Sequence, residues 1–324
     1  MSFKKIRGQD RQIEILISAI KRRNVSHAYL FTGIPGIGKK TTATAMAKAL
    51  NCDINNGDFC GSCISCRKIE HRNHPDILWI EPEGDYIKID QIRRMQGQIK
   101  YKPYEGKSKV VITDRAEKMN LQSSNCLLKT LEEPPPHTVL ILLTTAPFKV
   151  LPTMRSRCQR VMFQPLSTEL IVELLREKQG GEGGELKLIA SLAGGSIGKA
   201  IQWMERGVLK ERKKLLDKIN YLNRGYITEI LDLAESLGED KETLMENLDL
   251  LRLWFRDLLI FKETAQSKHL INRDLKSEVS KIAYQLSLPA LFEKVQTLNE
   301  VQLALQGNVN PKIAMETMLL KLCH

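Results

Sequence analysis

Residues 33–42 read Gly-Ile-Pro-Gly-Ile-Gly-Lys-Lys-Thr-Thr, and this run restricts the fold more than any other stretch of the chain. The pattern G-x-x-x-x-G-K-[S/T] closes backbone N–H groups around phosphate oxygens, sends a lysine to the outer phosphates and puts a hydroxyl on Mg²⁺. It requires a strand before it and a helix after it, as in a parallel α/β sheet. Gly33, Gly38 and Lys39 fit, and Gly36 adds backbone freedom. The hydroxyl slot holds Lys40, with Thr41 one place late. An ammonium cannot ligate Mg²⁺, and it brings positive charge to the place of the cation. The loop points to nucleotide-binding ancestry, leaves ATP or ADP binding open, and argues against Mg²⁺ and hydrolysis.

The flanking residues supply the required context. Ile13, Leu16, Ile17 and Ile20 predict a helix over 9–24. His27-Ala-Tyr-Leu-Phe-Thr is a short apolar strand that runs into the loop, and Thr41 to Leu50 has helical spacing. Further strands are expected at 77–80, 110–114, 139–145 and 160–163, with helices at 90–99 and 121–133 between them. Pro134-Pro-Pro stops the last of these helices, since a proline disfavours helical geometry in the residue before it. Apolar strands alternating with helices mean a parallel sheet covered on both faces. After Pro165 the strands stop. Two or three short helices are expected in 166–205 around a glycine-rich break at 180–184, and helix throughout the remainder. The division expected is 1–165 α/β, 166–207 small helical and 208–324 larger helical.

The chain has 324 residues, enough for two or three domains with cores. Its net charge of +11 is uneven. Residues 1–165 hold 27 Lys and Arg against 15 Asp and Glu, or +12, while the rest hold 22 against 23, or −1. A basic front half suits a polyanion such as nucleic acid, or is simply a solvated surface. No apolar run is long enough for a membrane span, and the opening residues lack the apolar stretch of a secretion signal. A cytoplasmic location is expected, with thiols kept reduced.

Cys52, Cys60, Cys63 and Cys66 are spaced C-x₇-C-x₂-C-x₂-C in a segment rich in Gly, Asn, Asp and Ser. Four thiolates within 15 residues satisfy a tetrahedral Zn²⁺ and leave no open position, which favours a structural site. Iron–sulfur is the alternative ligand. Asp114 ends the third strand, where a P-loop ATPase keeps the carboxylate that supports Mg²⁺. A water-activating glutamate should follow it, but Arg115 stands there. Two cations in positions needed for hydrolysis argue for an inactive site. Arg157, in Ser156-Arg157-Cys158, is either a surface arginine or a finger that reaches a neighbour's nucleotide.

Together, His27-Ala-Tyr-Leu-Phe, the cysteine insertion, His74-Pro-Asp, Asn125-Cys-Leu-Leu-Lys-Thr-Leu-Glu-Glu-Pro-Pro and Ser156-Arg-Cys resemble bacterial clamp-loader subunits of the AAA+ class. The resemblance is strong over the first 205 residues and rests on helical character beyond. It implies an AAA+ P-loop domain with a zinc-binding insertion at 52–66, a helical lid and an all-helical collar. It also implies a ring of five subunits that contains gamma/tau motors and a delta subunit, opens a sliding clamp and places it on primed DNA. Lys40, Arg115 and Gly198 in the lid's sensor motif depart from the motor pattern. They imply a stator with little catalysis of its own, part of a DNA-directed DNA polymerase holoenzyme. Such a stator presents Arg157 to the ATP of the adjacent motor, and Gly33, Gly36, Gly38, Lys39, Thr41 and Asp114 form a degraded nucleotide site. Lys102 and Lys107 are candidates for phosphate contacts. Two readings compete: a working ATPase that uses Thr41, and a zinc-dependent DNA-binding module, although 52–66 contains no Lys or Arg.

Overall fold

The structure, a computed structural model, describes residues 2–54, 57–180, 183–222, 227–237, 241–305, 307 and 309–323. The chain divides into two compact units, Met1–Leu170 with Gly195–Lys199, and Ile171–Gly194 with Ala200–His324.

The first unit runs α1 (Asp10–Lys21), β1 (Ala28–Thr32), α2 (Lys39–Asn51), α3 (Ile64–Glu70), β2 (Ile77–Ile80), α4 (Ile89–Ile99), β3 (Lys109–Thr113), α5 (Leu121–Glu132), β4 (Thr138–Thr144), α6 (Pro152–Arg155) and β5 (Gln159–Met162). The five strands form one parallel sheet in the order β2-β3-β4-β1-β5. Every residue of β1, β3 and β4 is buried, as central strands covered on both faces must be. Alternation then sorts the side chains. Tyr29, Phe31, Ile112 and Ile141 join Leu16, Met46 and Ile69 in the core on one face. Leu30, Val111, Leu140 and Leu142 join Ile92, Met95, Leu127 and Leu131 on the other. Each such side chain contributes about 1.5–3 kcal/mol by leaving water. Because β1 is an inner strand of a parallel sheet, the loop that follows it opens at the carboxyl ends of the strands, where α/β sheets bind ligands.

The remaining helices are α7 (Thr168–Gln179), α8 (Gly183–Leu192), α9 (Ile197–Arg206), α10 (Val208–Leu222), α11 (Ile227–Ser236), α12 (Lys241–Thr264), α13 (Lys276–Gln285), α14 (Leu288–Leu305) and α15 (Pro311–Cys323). Of the break expected at 180–184, positions 181 and 182 lie outside the described residues. Gly183 and Gly184 open α8, where the first-turn N–H groups lack helical partners anyway. In the second unit α12 is the hub. It packs on α10, α13 and α14 through Leu248, Leu251, Trp254 and Leu258, all at most 1% exposed. Asp257, fully buried, accepts the backbone N–H groups of Ile271 and Asn272 and fixes the chain entering α13. Among the described residues no helix is long and apolar enough to cross a membrane.

Candidate functional site: a glycine loop with an internal cation, and a four-thiol cluster

The glycine loop starts where β1 ends and finishes at Gly38, the N-cap of α2, whose φ of +99° suits glycine alone. Lys39 opens α2 and folds back over the loop, donating to the carbonyls of Gly33 and Ile34 at 2.7 Å each. Only 8% of it is exposed. Burial pulls its pKa down to about 8, against the opposing pull of the Glu117 and Asp114 carboxylates. Gly36, at φ +71°, lies against the start of α9, and the Gly198 N–H donates to its carbonyl at 2.8 Å. A Cβ on Gly198 would come within 2.9 Å of the Gly36 Cα. Backbone contact therefore leaves no room for a side chain at position 198 without a shift of the loop.

Lys40 reaches two carboxylates. Its Nζ lies 2.7 Å from Glu81 Oε1, just past β2, and 3.1 Å from Asp114 Oδ2, just past β3, with the Trp79 ring 5.4 Å away. The Lys40 ammonium, bonded to Glu81, holds the Glu81 carboxyl below its usual range. Thr41 instead lines a cleft of about 340 Å³ with Thr44, Lys48 and Trp79. Arg115 sits in the left-handed region at φ +52° and donates its N–H to Asp114 Oδ1. The cavity that a metal would need between Asp114 and the start of α2 thus holds an ammonium. The donor set does not fit Mg²⁺.

Glu117 and Glu81 are the carboxylates that sequence reasoning missed. Burial raises the Glu117 carboxyl, but the hydroxyls of Thr144 and Thr145 outweigh it and hold it below the ordinary value. Thr145 Oγ1 donates to Glu117 Oε1 at 2.7 Å. The three-residue step from Asp114 to Glu117 was available as a signal. Nothing near Glu81 marks it out, since its role comes from strand pairing.

The four cysteines close the other end of α2. Cys52 is its C-cap, and the Sγ atoms of Cys52, Cys60, Cys63 and Cys66 all lie within 4.8 Å of one another. Around a tetrahedral metal with bonds near 2.3 Å, sulfurs stand about 3.8 Å apart, so a slight contraction completes the shell. Backbone N–H groups aim at the sulfurs, Cys60 at Cys52, Ser62 and Cys63 at Cys60, and Cys66 at Cys63, over 3.3–3.4 Å. The Cys63 N–H first, then Ser62, hold the Cys60 thiol down at about 6, while burial pushes the Cys66 thiol up. Backbone bonds of this kind steady thiolates on a metal, and the set can hold an ion such as zinc.

The cluster is woven into the sheet domain. Phe59 stacks edge-on to Phe3 at 5.7 Å, and Asp58 accepts the Phe3 N–H. Lys48 of α2 pairs with Glu70 of α3 and lies over the Phe59 ring. The His74-Pro-Asp motif extends the brace. Buried His74 accepts the Asp76 N–H on Nδ1 and meets Ser65 of α3 through Nε2. Asp76 accepts the N–H groups of Tyr104, Glu105 and Gly106 at 2.7–2.9 Å. Lys107 Nζ donates to the Cys52 carbonyl, and both it and Lys102 stay exposed.

Arg157 lies between α6 and β5, about one-third exposed, with Nη2 2.7 Å from Glu132 Oε1 and Nη1 donating to the Thr153 carbonyl. The Glu132 contact was not visible in sequence.

Residues 8–167 match the family described as DNA polymerase III, delta subunit, and residues 206–324 its C-terminal counterpart. The Bacillus subtilis delta' subunit of DNA polymerase III is 31% identical over 97% of this chain and 96% of its own length. The tau subunit of that organism is 30% identical over 99% of this chain, which spans only 61% of tau. A Thermotoga maritima protein related to the gamma subunit aligns over 95% of this chain and 97% of its own, with a TM-score of 0.50 at 22% identity, a likeness of fold. The full-length match to delta' and the two family regions show that the chain belongs to the DNA polymerase III clamp-loader subunits, the group of delta', gamma and tau.

Proposed function

We propose that this chain is the delta' stator of a clamp loader rather than a gamma/tau motor. Identities of 31% to delta' and 30% to tau do not separate the two. The observation that carries the reading is Lys40, whose ammonium bridges Asp114 and Glu81 where a motor holds its metal. Arg115 in place of a base and the Gly36–Gly198 backbone contact point the same way.

On this reading Arg157 is the chain's contribution to chemistry, an arginine finger offered to the ATP of the adjacent motor. Gly33, Gly36, Gly38, Lys39, Thr41 and Asp114 are the remains of its own nucleotide site. Zn²⁺ on Cys52, Cys60, Cys63 and Cys66 is structural. The division is 1–165 AAA+ domain, 166–207 lid and 208–324 collar, the collar joining a cytoplasmic heteropentamer with gamma/tau and delta. That assembly loads the sliding clamp onto primed DNA. The basic excess of residues 1–165 supports a surface that faces the DNA phosphates.

ATP turnover by the purified chain, with Mg²⁺ present and zinc retained, tests the stator reading. Turnover no higher than that of Lys39→Ala is the expected result. Turnover at about 1 s⁻¹ or above, abolished by Lys39→Ala, makes the chain a motor.

A further inference from the structure

The glycine loop has two parts with separate tasks, and the structure treats them differently. The metal part is filled, since the Lys40 ammonium is shared between Glu81 at 2.7 Å and Asp114 at 3.1 Å. The anion part is intact. Among the described residues no acceptor is seen for the backbone N–H groups of Gly36, Ile37, Gly38 and Lys39. Gly38 takes its left-handed conformation with no side-chain cap on α2. Lys39 is almost wholly buried, and its two carbonyl contacts leave one of the three ammonium donors for a ligand. Four free N–H groups and a buried ammonium at the start of a helix attract phosphate.

The charges agree with this division. Uncompensated, Asp114 and Glu81 would repel a polyphosphate, and in a working ATPase Mg²⁺ prevents that. Here the neutralising charge is covalently attached. Lys40 has no dissociation step and no need for octahedral geometry, and its remaining donor can serve a phosphate oxygen.

We propose that the loop binds a nucleoside di- or triphosphate without any divalent metal, with Lys40 as its fixed counter-ion. The ligand is held rather than hydrolysed, because Arg115 stands where the base would be. This rests on the reading of residues 33–41 as a nucleotide loop that has lost its metal.

The test is calorimetric titration of the full chain with ADP, first in buffer freed of Mg²⁺ by a resin that leaves zinc bound, then with Mg²⁺ added. Saturable binding is expected in both, with Kd changing by less than about threefold. Lys40→Thr is expected to weaken metal-free binding by about tenfold or more and to recover it when Mg²⁺ is added, while Lys40→Arg keeps metal-free binding. Zinc content and melting temperature establish that both variants are folded. Absence of saturable binding by the wild-type chain overturns the proposal, as does a wild-type affinity that falls more than about tenfold without Mg²⁺. The two readings fail separately. Absence of both binding and turnover removes this inference and leaves the stator standing, whereas Mg²⁺-dependent turnover removes the stator.

Discussion

At its N-terminus α2 opens from the glycine loop, and at its C-terminus it is capped by Cys52 of the thiol cluster, so one helix of 13 residues joins two sites built around a positive charge. At the first, the chain supplies the charge itself through Lys40, and the carboxylates of Asp114 and Glu81 are satisfied without help. At the second, four sulfurs converge, with backbone N–H groups aimed at them, and the charge must come from outside. The difference follows from what each position must do. On the proposed stator reading, a site that need not hydrolyse ATP can carry a fixed side-chain cation in place of an exchangeable metal. A metal that holds an insertion together has no side-chain substitute, because no residue offers four bonds in tetrahedral array.

The strongest perturbation is at the thiol end. Cys66→Ser removes a buried ligand and with it most of a metal affinity on the order of 10 kcal/mol. Zinc stoichiometry measured with a chromogenic chelator should fall from one per chain to near zero, and proteolysis should open the 52–70 segment. Retention of zinc by this variant would end the contrast between the two sites.

Next in size is Arg157→Ala, which asks whether the chain's chemistry lies away from both ends of α2. Turnover by the adjoining motor in a reconstituted loader should fall by about 10³–10⁵. The isolated chain should melt as before, since the exposed pair with Glu132 is worth about 1 kcal/mol or less. Unchanged turnover would remove the finger.

A smaller effect sharpens the loop end. Gly198→Arg pushes a side chain onto the Gly36 backbone and should cost about 1–3 kcal/mol, read from the urea midpoint. A neutral result would mean that the first turn of α9 yields easily to a long side chain.

A further effect concerns pH. The pKa of Lys39 is lowered by burial to about 8 in the folded chain, below its ordinary value. Between the two values the unfolded chain binds the extra proton, so this lysine's destabilising contribution is full below pH 8 and is relieved as pH rises toward the unfolded value. Relative to Lys39→Met, the wild-type chain should therefore gain stability over that window. Parallel urea curves for the two chains would show that the ammonium suffers no desolvation in the loop.

How much of this was legible in sequence depended on the range of the interactions. The strands could be read because β1, β3 and β4 are buried on both faces and so are almost continuously apolar. The thiol cluster could be read because all four ligands fall within 15 residues, a spacing only a compact loop can use. Lys40 could be seen to be wrong for a metal, but not to be satisfied. Its partners are 41 and 74 positions away and meet it because β2 and β3 pair in parallel and end together. Likewise His74-Pro-Asp was a recognisable motif without a reason until Asp76 was seen to hold three backbone N–H groups of the 104–106 segment.

The sheet, the phosphate loop with its missing hydroxyl, and the grouping of the four cysteines could be read from residue order alone, because each is written in local spacing and residue type. Folding in three dimensions was needed to bring Lys40 between Asp114 and Glu81 and to close the loop backbone against Gly198. The physical reason is that strand order and register place charges and backbone from distant segments within a few ångströms of each other, and one-dimensional spacing carries no record of that proximity.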